Sequence, residues 1–297
     1  MHPRSMDDSQ RDEPRLKAWQ GALALILVGI GAQLLGGVVF VIAAVVEASV
    51  EGKSLLDLTS GGELGFGVIA PALLATGLGM GGGAAVVVAL AKVPVRSGLG
   101  IRAAPWPAFV VAPVGILALG PTSDFMRRLM VEYAPNLTLG TLDQLESVVH
   151  SAPLWVVAPL FSLVPGITEE LLFRGAFQRS IRTPWLAVGL SAFLFAAYHT
   201  DPHHVAAVLP LGFYLAWLGH RTGSVLVPIT AHIANNAAAV IASVMFPEST
   251  ESPASLFEDW RWIPIGWAIA AATVAVVWWS TRAREAEPPP SLAPASE

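Results

Sequence analysis

Cysteine is absent from the 297-residue chain. This excludes disulfides, thiolate metal ligands and cysteine nucleophiles together, and leaves the redox compartment unmarked. Charge is scarce as well: 13% of residues are Asp, Glu, Lys or Arg, half the ~25% of an ordinary soluble domain. With 54% hydrophobic residues and a mean hydropathy of +0.60, that deficit points to a membrane protein. The net charge of -5 offers no basic surface, so nucleic acid is not an expected partner. No internal repeat is visible, which removes a common mark of transporters. The H-E-x-x-H signature of zinc peptidases is missing too.

What remains is a series of charge-free runs. A polar, charged segment at 1–17 reads as a short cytoplasmic tail. Ala18 to Val46 then carries no charge for 29 residues. This exceeds the ~20 residues that cross a bilayer and the 7–15 of a signal-peptide core, so an uncleaved first helix is expected. An acidic loop follows, with Glu47, Glu51, Asp57 and Glu63 against Lys53. Leu64 to Ala91 is the second run, rich in the glycine that suits close helix packing in lipid. Ala103 to Ser123 contains Pro105, Pro107, Pro113 and Pro121 and is expected to kink. Asp124 to Glu146 is amphipathic and could lie along the interface. Segments 147–182, 183–200, 202–220, 222–247 and 263–281 complete about eight transmembrane helices, and the Pro/Ala/Ser/Glu tail from Arg282 lacks the apolar content to pack.

The expected fold is therefore an all-α polytopic integral membrane protein, multi-pass in the cell (inner or plasma) membrane. With both termini in the cytoplasm, the inner segments hold 13 basic residues and the outer ones only Lys53, Arg127, Arg128 and Arg261, accounting for all 17. That asymmetry satisfies the positive-inside rule. Trp19, Trp106, Trp155, Trp185, Trp217, Trp260, Trp262, Trp278 and Trp279 fall near predicted span ends, as interfacial anchors should. The division read from this layout is a tail (1–17), N-terminal helices and loops (18–146), a core (147–247), an external loop with the last helix (248–281) and a disordered tail (282–297).

Against this apolar background, Pro165-Gly-Ile-Thr-Glu-Glu-Leu-Leu-Phe-Arg-Gly175 stands out. Burying an unpaired charge costs roughly 2.5–3.5 kcal/mol on insertion scales. Glu170 and Arg174 are four apart in the favourable acid-first order for a helical ion pair. Glu169 is rotated about 100° away, so the ion pair does not account for it. Further on, His199 follows Phe195 by one turn at the end of a span. His232 and Asn236 share a face of the next but one. Glutamate with histidine can take a proton from water; histidine with asparagine supplies two donors for an oxyanion. The same two histidines and a carboxylate could instead bind zinc with an open water position.

Three motifs, Glu169-Glu170-x-x-x-Arg174, Phe195-x-x-x-His199 and His232-x-x-x-Asn236, in this order, resemble those of the CAAX prenyl protease and bacteriocin-processing family. This is a family of intramembrane endopeptidases, long described as metalloproteases and now mostly as glutamate-dependent. The resemblance covers roughly 152–247 and implies that Glu169 and His199 activate water. It implies also that His232 and Asn236 form the oxyanion hole, and that Glu170 and Arg174 support the site. On that basis the expected activity is hydrolysis of a protein or peptide substrate at the bilayer, with no cofactor and with zinc as the less favoured alternative. A non-catalytic scaffold or immunity protein of the same fold, and a proton-coupled transporter, are the rival readings. His203, His204 and His220 read as interfacial side chains, and Asp201 as a turn residue rather than a partner of His199. Because Thr183 to Thr200 is only 18 residues, the hairpin at Asp201-Pro202 is expected to end inside the protein.

Overall fold

The computed structural model describes residues 14–54, 65–139, 148–245 and 260–285. Most of the N-terminal tail, Asp57, Glu63, the whole 248–259 loop and the C-terminal residues from 286 lie outside the described residues. Within them no strand is present, and every apolar run read from the sequence is helical. The α-helices longer than about one turn are α1 (Ala18–Glu51), α2 (Phe66–Leu90), α3 (Trp106–Ala118), α4 (Gly120–Tyr133), α5 (Leu154–Glu170), α6 (Pro184–Ala197), α7 (Pro202–Thr222), α8 (Leu226–Met245) and α9 (Trp262–Glu285). Among the described residues, six helical stretches are long and apolar enough to cross a membrane. The chain is an all-α, multi-pass integral membrane protein.

Local sequence explains the breaks. The expected kink in the third run falls at Leu119, between α3 and α4, where Pro121 opens the next helix. Asp124 on α4 takes Arg127 at 3.2 Å and Arg128 at 3.1 Å, so its charges close on one another along the helix surface. Helix α6 is a short apolar helix of 14 residues, and no following helix extends it into a longer span as α4 extends α3. At 1.5 Å per residue it reaches about 21 Å, short of the ~30 Å hydrocarbon core.

Packing follows membrane rules. On α1 the buried positions are small, among them Gly21, Ala24, Ala32 and Gly36, while Ile26, Leu27, Ile30 and Leu34 face outward. Small residues let backbones approach where lipid removes the hydrophobic drive between helices. Helix α1 lies on α2, α5 on α8, α6 on α7, and α3 on α9. The main core joins Met80, Ile116, Leu172, Phe173, Phe195, Leu215 and Leu218. Trp106, Trp155 and Trp185 stand exposed at or next to the first residue of α3, α5 and α6, the position of an interfacial anchor.

Candidate active site

Glu169 and Glu170 are the last two residues of α5. The chain then widens into one π-helical stretch, Leu171–Phe177, that carries Arg174. Such widened turns inside helices are frequent at functional sites. Residue spacing alone predicts an ordinary helix here; the π turn leaves no mark in the apolar pattern.

Arg174 is fully enclosed. Its Nη1 donates to Glu170 Oε1 at 2.7 Å and its Nη2 to the Gly212 carbonyl at 3.1 Å. The guanidinium also lies 4.1 Å from the centre of the Phe195 ring, a cation–π distance. Gly212 makes this possible: a β-carbon there would come within 3.1 Å of the Ala192 carbonyl and 3.2 Å of Phe195.

Helix α8 brings His232 to the same carboxylate. His232 Nδ1 donates to Glu170 Oε1 across 2.9 Å, while its Nε2 faces Glu169 Oε2 at 3.9 Å. Glu170 thus holds both Arg174 and His232 through one oxygen. The second oxygens of both glutamates have no hydrogen-bond partner among the described residues. Helices α5 and α8 approach closely at Gly166, where a β-carbon would lie 2.7 Å from Ile233 Cγ1 and 3.1 Å from the Ile233 nitrogen.

His199 lies just past α6, half-buried, with Nδ1 3.0 Å from the Phe195 carbonyl. A carbonyl only accepts, so Nδ1 carries the proton and Nε2 presents its lone pair. The Phe195 ring meets His199 edge-on at 5.2 Å and His232 at 5.6 Å, so one benzene ring touches both histidines and the arginine. Asn236 shares the α8 face with His232, but its amide is turned to the Phe161 carbonyl at 3.4 Å, and Asn235 donates to its oxygen at 3.3 Å. The structure brings Glu169, Glu170, Arg174 and His232 into one cluster and joins His199 to it through Phe195. Among the described residues, Asn236 makes no hydrogen bond to that cluster.

Charge counting constrains the cluster. Two carboxylates against one guanidinium leave one negative charge, which apolar surroundings penalise. A single further proton, on His232 or Glu169, makes the set neutral.

Three neighbours escaped sequence reasoning. Tyr198 donates its hydroxyl to the Gly29 carbonyl at 3.1 Å, tying the end of α6 to α1. His203, expected at an interface, is buried instead, with Nε2 3.0 Å from the Ala134 carbonyl. His204 packs its ring on His199 with centroids 4.4 Å apart. The paired histidines after Asp201-Pro202 were the available signal, but span-end position alone cannot separate an anchoring ring from an inward one. Asp201 acts as a turn residue: Oδ1 caps α7 through the His203 N–H at 2.9 Å, and Oδ2 accepts from the Leu139 N–H at 3.0 Å.

Comparison with known proteins bears on this segment. Residues 151–238 match the model of a family described as type II CAAX prenyl endopeptidase, Rce1-like. All three motifs fall within that stretch. Among curated proteins, the "Putative membrane peptidase YdiL" of Bacillus subtilis (strain 168) is 33% identical over 97 residues, which is 32% of this chain and 39% of the relative. The match thus spans about two fifths of that curated relative. No solved structure matches the chain significantly. The resemblance read from the motifs stands on both a family model and a curated relative.

Proposed function

We propose that the chain is an intramembrane endopeptidase that hydrolyses a peptide bond with water activated by Glu169 and His199. The observation that carries this reading is the unequal bonding of the two glutamates. Glu170 is tied to Arg174 and to His232, while Glu169 Oε2 is buried without a hydrogen bond and 3.9 Å from His232 Nε2. That gap is too long for a direct bond and suits a shared water.

In the charge-neutral arrangement with Glu169 ionised, His232 is an imidazolium and both its nitrogens donate. Glu169 then removes a proton from water as its oxygen adds to the substrate carbonyl carbon, and the lone pair on His199 Nε2 steers that water. The developing oxyanion receives the His232 Nε2–H and, once its amide turns from the Phe161 carbonyl, an N–H of Asn236. Collapse breaks the C–N bond, and the proton held by Glu169 goes to the leaving amine. Glu170 and Arg174 touch no substrate in this scheme; Glu170, fixed by Arg174, holds the His232 ring in orientation through Nδ1. The basic-residue asymmetry supports cytoplasmic placement of both termini.

We read the site as metal-free. Each histidine keeps Nε2 open, the nitrogen a metal would take, so the bonds at Nδ1 do not decide the question. Among the described residues, no three His, Asp or Glu side chains converge as a ligand set. That lack of a third ligand supports the metal-free reading.

The test is cleavage of a peptide library by the full chain in liposomes, wild type beside Glu169→Ala. Cleavage by the wild type alone, insensitive to chelator, is the expected result. An inert wild type overturns the peptidase reading, as does an active Glu169→Ala. Stoichiometric zinc, with activity lost to chelator and restored by the ion, overturns the metal-free reading.

A further inference from the structure

The turn after α6 holds a feature that the motifs do not include. Thr200, directly after His199, has φ +60°. A β-branched residue in the left-handed region is an outlier that surrounding structure must enforce. The enforcing contacts lie on the following residues. Asp201 binds the His203 N–H on one side and Leu139 on the other, and His203 reaches the Ala134 carbonyl. Residues 201–203 are thereby pinned to the segment that follows α4. The next side chain, His204, is set with its ring against His199 at 4.4 Å and an interplanar angle of 66°. At that separation the contact is edge-to-face packing rather than an in-plane hydrogen bond between ring nitrogens.

We propose that His204 is a positioning residue for His199: it closes one side of the His199 imidazole, so that Nδ1 stays on the Phe195 carbonyl and Nε2 keeps its lone pair on the reacting side. One edge of the His199 ring is taken by its own helix, through the Phe195 carbonyl and ring. Without a wall on the side of His204 the ring could turn about its Cβ–Cγ bond, carrying Nδ1 off the Phe195 carbonyl and releasing the proton to either nitrogen. The strained Thr200 and the tethers of Asp201 and His203 fix the wall relative to the ring. The wall acts through its flat surface, so another planar ring should substitute for it.

The consequence for turnover rests on the peptidase reading; the consequence for the ring does not, and the experiment separates them. The full-length chain is labelled with 15N-histidine and reconstituted in lipid nanodiscs. Imidazole nitrogen shifts then report the His199 tautomer, its signals being those lost in His199→Gln. Wild type and His204→Phe are expected to show the Nδ1–H form alone, whereas His204→Leu, similar in bulk but without a flat face, shows a mixture of both tautomers. With a peptide found by the library screen, kcat is expected to fall about tenfold in His204→Leu with KM nearly unchanged, and to recover in His204→Phe, as misplacement of a reacting group predicts. A wild-type spectrum in His204→Leu overturns the proposal, and so does a His204→Phe as impaired as His204→Leu. If His204→Leu does not fold, Thr200→Gly decides. That variant relieves the strained backbone, so it should melt no lower than wild type while showing mixed tautomers; an unmixed spectrum overturns the proposal. If the wild type cleaves no peptide, the peptidase reading fails, and the nitrogen spectra still decide the role of His204.

Discussion

Oxygen Oε1 of Glu170 accepts from both Arg174 and His232, whereas Glu169 bonds to neither. The two adjacent carboxylates should therefore fail differently. Glu169→Gln keeps shape and removes the base, so turnover is expected to fall ~10²–10⁴-fold with the melting temperature held, since a neutral amide is cheaper to bury than a carboxylate. Glu170→Gln leaves the enclosed Arg174 without its counter-charge, at a cost of about 3–5 kcal/mol, so melting temperature and activity should drop together. Measuring both variants in one detergent checks the pair; a normally active Glu169→Gln beside a folded but inert Glu170→Gln would reverse the assignment. The Glu170–Arg174 pair was legible because i, i+4 spacing is a local property of a helix. The bond from Glu170 to His232 was not, because 62 residues separate them and only the packing of α8 on α5 brings them together.

At the scale of elements, the contact that sets His232 opposite the glutamates is the approach of α8 to α5 at Gly166. Gly166→Ala places a methyl against Ile233 that neither backbone can avoid, which is expected to destabilise by about 1–3 kcal/mol. Because Ile233 adjoins His232, kcat should fall further than that loss of stability explains at a temperature where the variant is fully folded. Normal kcat in a folded Gly166→Ala would show that the contact does not position His232. Helix existence was legible throughout, since uncharged runs in a low-charge chain have one backbone solution in lipid. The π turn at Leu171–Phe177 was not, because it inserts a change of pitch without changing residue type. The inward turn of His203 escaped for a related reason: its partner is a backbone carbonyl at Ala134, which has no signature in sequence.

For the whole molecule, the absence of cysteine becomes an experimental asset. Ser5→Cys and Ser291→Cys, made singly, are expected to react with an impermeant thiol reagent only from the cytoplasmic side, and Ser252→Cys only from the other. Labelling of Ser5→Cys only from outside with Ser252→Cys only from the cytoplasm would invert the charge-based orientation, and labelling of both from one side would refute the span layout. The match to the family model begins at residue 151 and stops at 238, yet α1 reaches into it, its Gly29 carbonyl holding Tyr198 one residue before His199. Removing that hydroxyl with Tyr198→Phe should lower turnover and melting temperature together. The short helix α6 has a consequence at this scale. A 14-residue cylinder packed on the 21-residue α7, in a molecule whose longest helix has 34 residues, gives the protein an uneven hydrophobic girth. A bilayer meeting that side must thin, tilt the helix or be invaded by headgroups, at fractions of a kcal/mol per ångström of mismatch. His199 follows the end of this short helix, so under the proposed mechanism thinning on this side would ease the arrival of water and the exit of cleaved ends. Turnover in vesicles of graded acyl length should therefore be highest in thin membranes and decline as the chains lengthen.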